Sequence, residues 1–168
     1  LLDLFTNDYI EGGERFISAD IARFGKDKTV ICLWSGMRID HIKVINKNTL
    51  TQASEEILRM ASNNRVPRSN IIVDESGVGG GVVDMIKGCK GFMSNAKAKG
   101  KENYQNLKTQ CYYKLAELVN NAEIFIADDR YKDDIIEELE IIRRDKIDND
   151  FTKLAITKKE KQVMSLGR

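Results

Sequence analysis

Two short apolar runs in this chain each end on an aspartate that glycine follows closely. The first run is Phe-Ile-Ser-Ala before Asp20, and the second is Ile-Ile-Val before Asp74 and a glycine-rich loop at residues 77–81. Such runs, bounded by turn signals, are typical of buried strands. A strand that delivers a carboxylate beside a loop of little bulk suits a hard metal ion and a phosphate. The alternative interpretation is that each aspartate only ends a strand and begins a turn.

The glycines after Asp74 lead directly into an apolar pattern of helical spacing at residues 82–87. A strand that is followed by a glycine turn and then by the start of a helix can accommodate a phosphate, because a helix amino terminus offers free N–H groups. No Gly-Lys-Ser/Thr follows, and the Gly-x-Gly-x-x-Gly dinucleotide pattern is not in its required place. The sequence therefore disfavours nucleotide binding by either of these routes.

Hydrophobic periodicity predicts three strands in series, followed by alternating helices and strands. The expected strands lie at residues 16–19, 29–34, 38–45, 70–73 and 123–127, with a hairpin at 146–157 about Asp148-Asn149-Asp150. The expected helices lie at residues 51–64, 103–120 and 133–142, and residues 90–101 should add a strand and a mobile basic loop. The apolar face of the helix at 103–120 is expected to include Leu107, Cys111, Leu115, Leu118 and Val119.

Composition fits one soluble domain and excludes several classes of site. In 168 residues, 42% are hydrophobic and 32% charged, and no apolar run approaches the ~20 residues that would span a bilayer. The three cysteines have no Cys-x-x-Cys spacing, which favours a reducing cytosol over zinc or a disulfide framework. His41 is the only histidine, so the sequence disfavours a His-rich metal site and a Ser-His-Asp triad.

Charge is segregated along the chain although the formal net charge is only +1. Lysines without any acidic residue between them occupy residues 87–101, and further basic residues lie near Asp20 and near the end of the sequence. A solvated surface is the ordinary explanation of such runs. The segregation nevertheless leaves room for a basic groove that phosphate could enter.

Several segments in order resemble the nuclease domain of viral terminase large subunits, the DNA-packaging motors of tailed phages. Residues 20–30 resemble its first acidic motif, and residues 73–84 resemble its second. Residues 104–108 resemble its tyrosine-asparagine segment, 121–126 the strand that follows, and 158–161 with 166–168 the approach to its third acidic motif. The resemblance covers residues 14 to 168, and its ordered spacing makes it more specific than either aspartate motif alone.

The resemblance implies a ribonuclease H-like α/β fold: a mixed sheet of three antiparallel strands followed by parallel strands, flanked by helices. It implies that residues 1–13 are a remnant of an interdomain linker and that residues 14–168 are the nuclease domain. Because no Walker A or Walker B motif occurs, we expect the packaging ATPase domain to be absent from this chain. In the family, Ser-Pro-Asp follows Gly-Arg, so the third acidic ligand is expected beyond Arg168.

The implied activity is a metal-dependent endonuclease that cuts double-stranded DNA, the concatemeric viral genome, during packaging. Two Mg²⁺ or Mn²⁺ ions would support phosphodiester hydrolysis, and oxygen ligands favour these ions over Zn²⁺. Asp20 would bridge both ions and Asp74 would hold one. Asp27 and Asp84 are further candidate ligands, although Asp84 could equally be a first-turn acid favoured by the helix dipole. The expected DNA-binding residues are Arg23, Lys26, Lys28, Lys97, Lys99, Lys101, Lys158 and Lys159.

The implied partners are double-stranded DNA and, in the intact protein, the packaging ATPase domain, the portal and the terminase small subunit. The implied location is the host cytoplasm, with no membrane association. Two alternatives remain open: a catalytically silent DNA-binding or docking module of the same fold, and a resolvase-like or transposase-like nuclease. An ATPase of the wider superfamily is a weaker alternative, because no second phosphate-binding glycine motif occurs.

Overall fold

A mixed six-stranded sheet forms the centre of the protein. The computed structural model describes residues 1–22, 27–146 and 155–156 of the chain. The strands of the sheet are β1 (Arg15–Asp20), β2 (Lys28–Ser35), β3 (Arg38–Asn46), β4 (Ile71–Asp74), β5 (Lys90–Phe92) and β6 (Phe125–Ile126). Their order across the sheet is β5-β4-β1-β2-β3-β6. β2 pairs antiparallel with both neighbours, and the other three pairings are parallel. The predicted combination of three antiparallel strands and later parallel strands is confirmed.

The described residues form four α-helices, which are α1 (Leu50–Asn63), α2 (Gly79–Met85), α3 (Leu107–Asn120) and α4 (Lys132–Glu140). α1 begins with a capping box, in which the Thr49 hydroxyl accepts from the Gln52 N–H and the Gln52 side chain accepts from the Thr49 N–H. α3 begins four residues later than periodicity predicted. The side chain of Asn106 accepts from the Thr109 N–H at 2.9 Å, so Asn106 caps the helix and the residues before it form a loop.

The sheet has an apolar core on each face, because successive side chains of a strand point to opposite faces. In β2, Ile31 and Leu33 belong to the core that contains α1 and α2 residues such as Ile57 and Val82. The alternate β2 residues Val30, Cys32 and Trp34 pack into the other core, with residues of α3 and α4. Each helix pair therefore covers one face of the sheet, and the two faces are called here the α1–α2 face and the α3–α4 face.

The predicted apolar face of α3 is partly wrong. Leu115, Leu118 and Val119 pack against the sheet, but Cys111 is exposed. The residue before it, Gln110, is buried instead: its amide donates to the Lys99 carbonyl at 2.9 Å and accepts from the Lys99 N–H at 2.8 Å. The first turns of α3 therefore pack on the preceding loop, which periodicity alone does not reveal.

Residues 1–13 pack onto the edge of the sheet at β6. The side chain of Leu4, in a short 3-10 helix, is only 2% exposed. The Asn7 amide donates to the Ile124 carbonyl at 3.0 Å, and the Tyr9 hydroxyl donates to the Ala122 carbonyl at 2.5 Å. The assignment of this segment as a linker remnant stays a prediction.

A carboxylate ties the turn after β6 to β3. Asp128 is buried and accepts from the Ile42 N–H at 2.7 Å and from the Arg130 Nε at 2.7 Å. The Arg130 guanidinium also donates to the Ile42 carbonyl at 2.8 Å. Two long-range contacts of β3 thus depend on one buried charge, which anchors the approach to α4.

A separate two-stranded ribbon joins β7 (Arg144–Lys146) and β8 (Ala155–Ile156) in antiparallel pairing. The pairing agrees with the predicted hairpin, and its expected turn at Asp148-Asn149-Asp150 lies outside the described residues. In the part of the chain that the structure describes, no helix is both long enough and apolar enough to cross a membrane.

Candidate active site

Asp20 and Asp74 lie at the carboxyl ends of adjacent parallel strands, as the sequence predicted. β1 and β4 pair with Ala19 opposite Val73, and each aspartate is the next residue of its strand. Ala19 and Val73 are buried in the core of the α1–α2 face. Because side chains alternate along a strand, both aspartates project to the α3–α4 face. We call these two residues the acidic pair.

The carboxylate of Asp74 is oriented by the loop that follows it. Its Oδ1 accepts from the Ser76 N–H at 2.9 Å, which is an Asx turn. The Ser76 hydroxyl lies 2.9 Å from the Ser94 hydroxyl, and the Glu75 N–H donates to the Phe92 carbonyl at 3.1 Å. The loop is therefore joined to β5 and to the residues after it. The position of the Asp74 carboxylate is thus fixed by these contacts as well as by β4.

A buried hydroxyl holds the backbone just after Asp20 in place. Thr29 is fully buried, and its Oγ1 accepts from the Ala22 N–H at 2.9 Å and donates to the Ala22 carbonyl at 3.0 Å. This double contact fixes the base of the loop between β1 and β2. Arg23 and Lys26, which were predicted to bind DNA, lie outside the described residues.

The further candidate ligands Asp27 and Asp84 are exposed. Asp27 lies in the loop immediately before β2, and Asp84 is the last residue but one of α2. The alternative interpretation of Asp84 as a first-turn acid is therefore wrong, because the helix already begins at Gly79. Within residues 1–22, 27–146 and 155–156, no three His, Cys, Asp or Glu side chains form a group that could hold a metal ion. The described part of the chain therefore brings together the acidic pair only, and a ligand role for Asp27 or Asp84 stays a prediction.

The predicted DNA-binding lysines that the structure describes are all exposed. Lys28 is the first residue of β2, and Lys97, Lys99 and Lys101 lie in the loop between β5 and α3. That loop is anchored at Lys99 by Gln110 and at Ala96, whose carbonyl accepts from the Leu107 N–H at 2.8 Å. Its predicted mobility stays a prediction. Lys158 and Lys159 lie outside the described residues.

Sequence reasoning missed Tyr112, a residue of α3 whose phenol is influenced by the charge of Asp20. Burial raises the pKa of the Tyr112 phenol, and the negative charges of Glu138 and Asp20 raise it further. Tyr112 therefore lies within the electrostatic reach of Asp20. The sequence held a weak signal, since Lys108 and Tyr112 are one helical turn apart, but nothing in it shows which strand that side of the helix approaches.

Two neighbouring glycines of α2 should respond oppositely to alanine. A Cβ at Gly79 would overlap the carbonyl group of Asp74, whereas the nearest atom to a Cβ at Gly80 is 3.8 Å away, an ordinary contact. We expect Gly79→Ala to lower the free energy of unfolding by about 1–3 kcal/mol, because the overlap is with backbone. Gly80→Ala should raise it by about 0.5–1 kcal/mol. Urea unfolding measures both, and equal effects would contradict the close approach.

Comparison with known proteins agrees with this architecture. No protein-family model matches the chain, and no curated protein sequence matches it. Among solved structures, the nuclease domain of the large terminase subunit gp2 of bacterial virus Sf6 superposes with a TM-score of 0.77 at 15% identity, covering 99% of this chain and 89% of that one. A mutant of the same domain with manganese and beta-thujaplicinol gives a TM-score of 0.79 at 14% identity, with the same coverage.

A second phage gives a similar result. The large terminase nuclease of thermophilic phage G20c with bound magnesium has a TM-score of 0.54 at 19% identity, over 93% of this chain and 82% of that one. The two proteins come from different phages, and both superpose over nearly the whole of this chain. The chain therefore has the ribonuclease H-like fold of the nuclease domains of phage large terminase subunits.

Proposed function

We propose that this domain is a metal-dependent endonuclease that cuts double-stranded DNA during viral genome packaging. The observation that carries the proposal is the acidic pair. Two carboxylates at the ends of adjacent parallel strands project to the same face, in a fold shared with terminase nucleases. The solved neighbours with manganese and with magnesium support a divalent ion at such a site.

The chemistry of the donors fits Mg²⁺ or Mn²⁺. Both members of the acidic pair offer hard carboxylate oxygens, which these ions prefer. Asp74 uses Oδ1 for the Ser76 N–H, and its other oxygen accepts no hydrogen bond from the described residues. The single histidine, His41, is a residue of β3, two strands from β1, and its side chain lies beside Asp128. Among the residues that the structure describes, only oxygen donors thus meet at this point, which supports a hard cation rather than Zn²⁺.

Asp20 and Asp74 would hold the ions, with Asp20 shared between two of them. When bound, such ions supply an activated water and stabilise the charge that develops on the phosphate and the leaving oxygen. The protein's own contribution is positioning: Ser76 orients Asp74, and Thr29 fixes the backbone that follows Asp20. The exposed lysines of the β5–α3 loop would attract the DNA backbone by a term that is independent of base sequence.

In the intact motor, such a domain would work with the packaging ATPase domain, the portal and the terminase small subunit in the host cytoplasm. These partners would present the DNA, so cutting by the domain alone should show little base-sequence preference. A catalytically silent DNA-binding module of the same fold is the alternative that the test must separate.

The test is metal-dependent nicking of supercoiled plasmid by the purified protein. We expect nicked and linear products with Mg²⁺ or Mn²⁺ and none with a chelator. A band shift on the same plasmid, with Ca²⁺ in place of the active ion, reports binding separately. Binding without any cutting in either metal would overturn the nuclease proposal in favour of the silent module. Cutting that persists in chelator would overturn the role of the metal.

A further inference from the structure

A chain of hydrogen bonds connects Asp74 to the start of α3. Asp74 Oδ1 accepts from the Ser76 N–H, and the Ser76 hydroxyl lies 2.9 Å from the Ser94 hydroxyl. The Ser94 carbonyl then accepts from the Lys108 N–H at 3.0 Å. Lys108, the second residue of α3, is therefore held at a fixed position relative to one member of the acidic pair.

The side chain of Lys108 extends along α3 towards Tyr112. Its Nζ lies 5.9 Å from the centre of the Tyr112 ring, one turn further along the helix. Tyr112 lies within the electrostatic reach of Asp20, which with burial and Glu138 raises the pKa of its phenol. Lys108 is thus linked to Asp74 through its backbone, and its ammonium group lies near a ring whose phenol is influenced by the charge of Asp20.

The ammonium group of Lys108 is not used for ion pairing within the described residues. Lys114, on the same helix, contacts Glu102 at 3.0 Å and Glu117 at 3.3 Å, whereas Lys108 forms no such pair there. A lysine whose backbone is held in place, and whose ammonium group, unpaired among the described residues, lies near an aromatic ring, is arranged to receive an anion from outside the domain. The anion that the proposed function brings to this face is a DNA phosphate.

We propose that Lys108 binds a backbone phosphate of the DNA strand at the acidic pair, with the Tyr112 ring restricting the position of its ammonium group. The inference rests on the proposed function and adds a specific contact to it. Such a contact carries no base information but sets the register of the strand on the protein. The ring serves by its face, so the Tyr112 hydroxyl is not required.

The test measures the affinity for a short DNA duplex as a function of KCl concentration, with Ca²⁺ present to support binding without cleavage. Removing one phosphate contact decreases the steepness of the negative slope of log K against log [salt] by about 0.9. We expect this decrease for Lys108→Gln, together with a roughly 10-fold loss of affinity at low salt. Lys108→Arg and Tyr112→Phe should keep the wild-type slope, and Tyr112→Leu should lose part of the affinity.

Lys114→Gln is the matched control, because it removes the same charge from the same helix at a residue that is already paired with Glu102 and Glu117. Its slope should equal that of the wild type. If Lys108→Gln also keeps the wild-type slope while the wild type cuts plasmid, this inference is wrong and the proposed function stands. Loss of cutting with an unchanged slope would indicate a structural role and would likewise overturn it. A wild type that neither binds nor cuts DNA removes both proposals.

Discussion

Asp20→Asn should abolish plasmid cleavage and leave the fold intact. Asp20 ends β1 beside Asp74 on β4, and the amide keeps its shape while removing the charge that a divalent ion requires. We expect a loss of roughly 1,000-fold in cleavage rate, the upper end of the cost of removing one group that stabilises transition-state charge. Plasmid nicking with Mn²⁺ gives the rate, and calorimetric titration with Mn²⁺ gives the affinity for the ion.

Loss of cleavage by Asp20→Asn identifies a site residue only if the variant is as stable as the wild type. The Asp20 side chain is exposed, and the amide has nearly the size and shape of the carboxylate. We therefore expect the free energy of unfolding to stay close to that of the wild type. Asp129→Asn changes another exposed acid outside the candidate site and should retain wild-type cleavage. Full cleavage by Asp20→Asn would show that Asp20 is not part of the site. If Asp20→Asn fails to fold, Asp74→Asn provides the same test of the acidic pair.

Asp128→Ala should be among the most destabilising single substitutions outside the apolar cores. The change leaves the Ile42 N–H buried without its acceptor and breaks the contact with Arg130. A buried donor without a partner costs about 1–3 kcal/mol, and the lost charge-assisted hydrogen bond places the expected effect near the upper end. This corresponds to a decrease in Tm of roughly 4–12 °C for a domain of this size. Urea unfolding and thermal melting measure the two quantities, with Asp129→Ala as the control.

The same carboxylate makes stability depend on pH in the acid range. Hydrogen bonds from the Arg130 guanidinium hold the pKa of Asp128 well below its usual range. The stabilisation is therefore present above the unfolded-state pKa of about 3.9 and is lost as pH falls through the lower folded-state value. We expect the free energy of unfolding of the wild type to fall below pH 4 more steeply than that of Asp128→Asn. Parallel curves for the two proteins would show that Asp128 does not contribute this dependence.

The sequence predicted most elements because their signals are local. The alternating or continuous apolar runs of β1, β2, β3 and β4 and the periodic residues of α1 each specify one element. Both aspartates could be assigned to strand ends for the same reason. The start of α3 was misjudged, because a single capping residue, Asn106, competes with an apolar pattern that begins earlier. Cys111 was placed inside for a related reason, since period alone does not say which part of a helix touches the sheet.

The sequence by itself determined which residues could form a hard-cation site: carboxylates that end buried runs, with one histidine and no paired cysteines to compete. Only the tertiary structure decided that β4 lies directly beside β1, in a register that brings Asp20 and Asp74 to the same face. It alone decided that Ser76 and Ser94 link Asp74 to the backbone of Lys108, whose ammonium group lies near the Tyr112 ring. The physical reason is that strand order and helix docking depend on contacts between residues far apart in the chain, whereas periodicity, capping and turn signals act over a few residues.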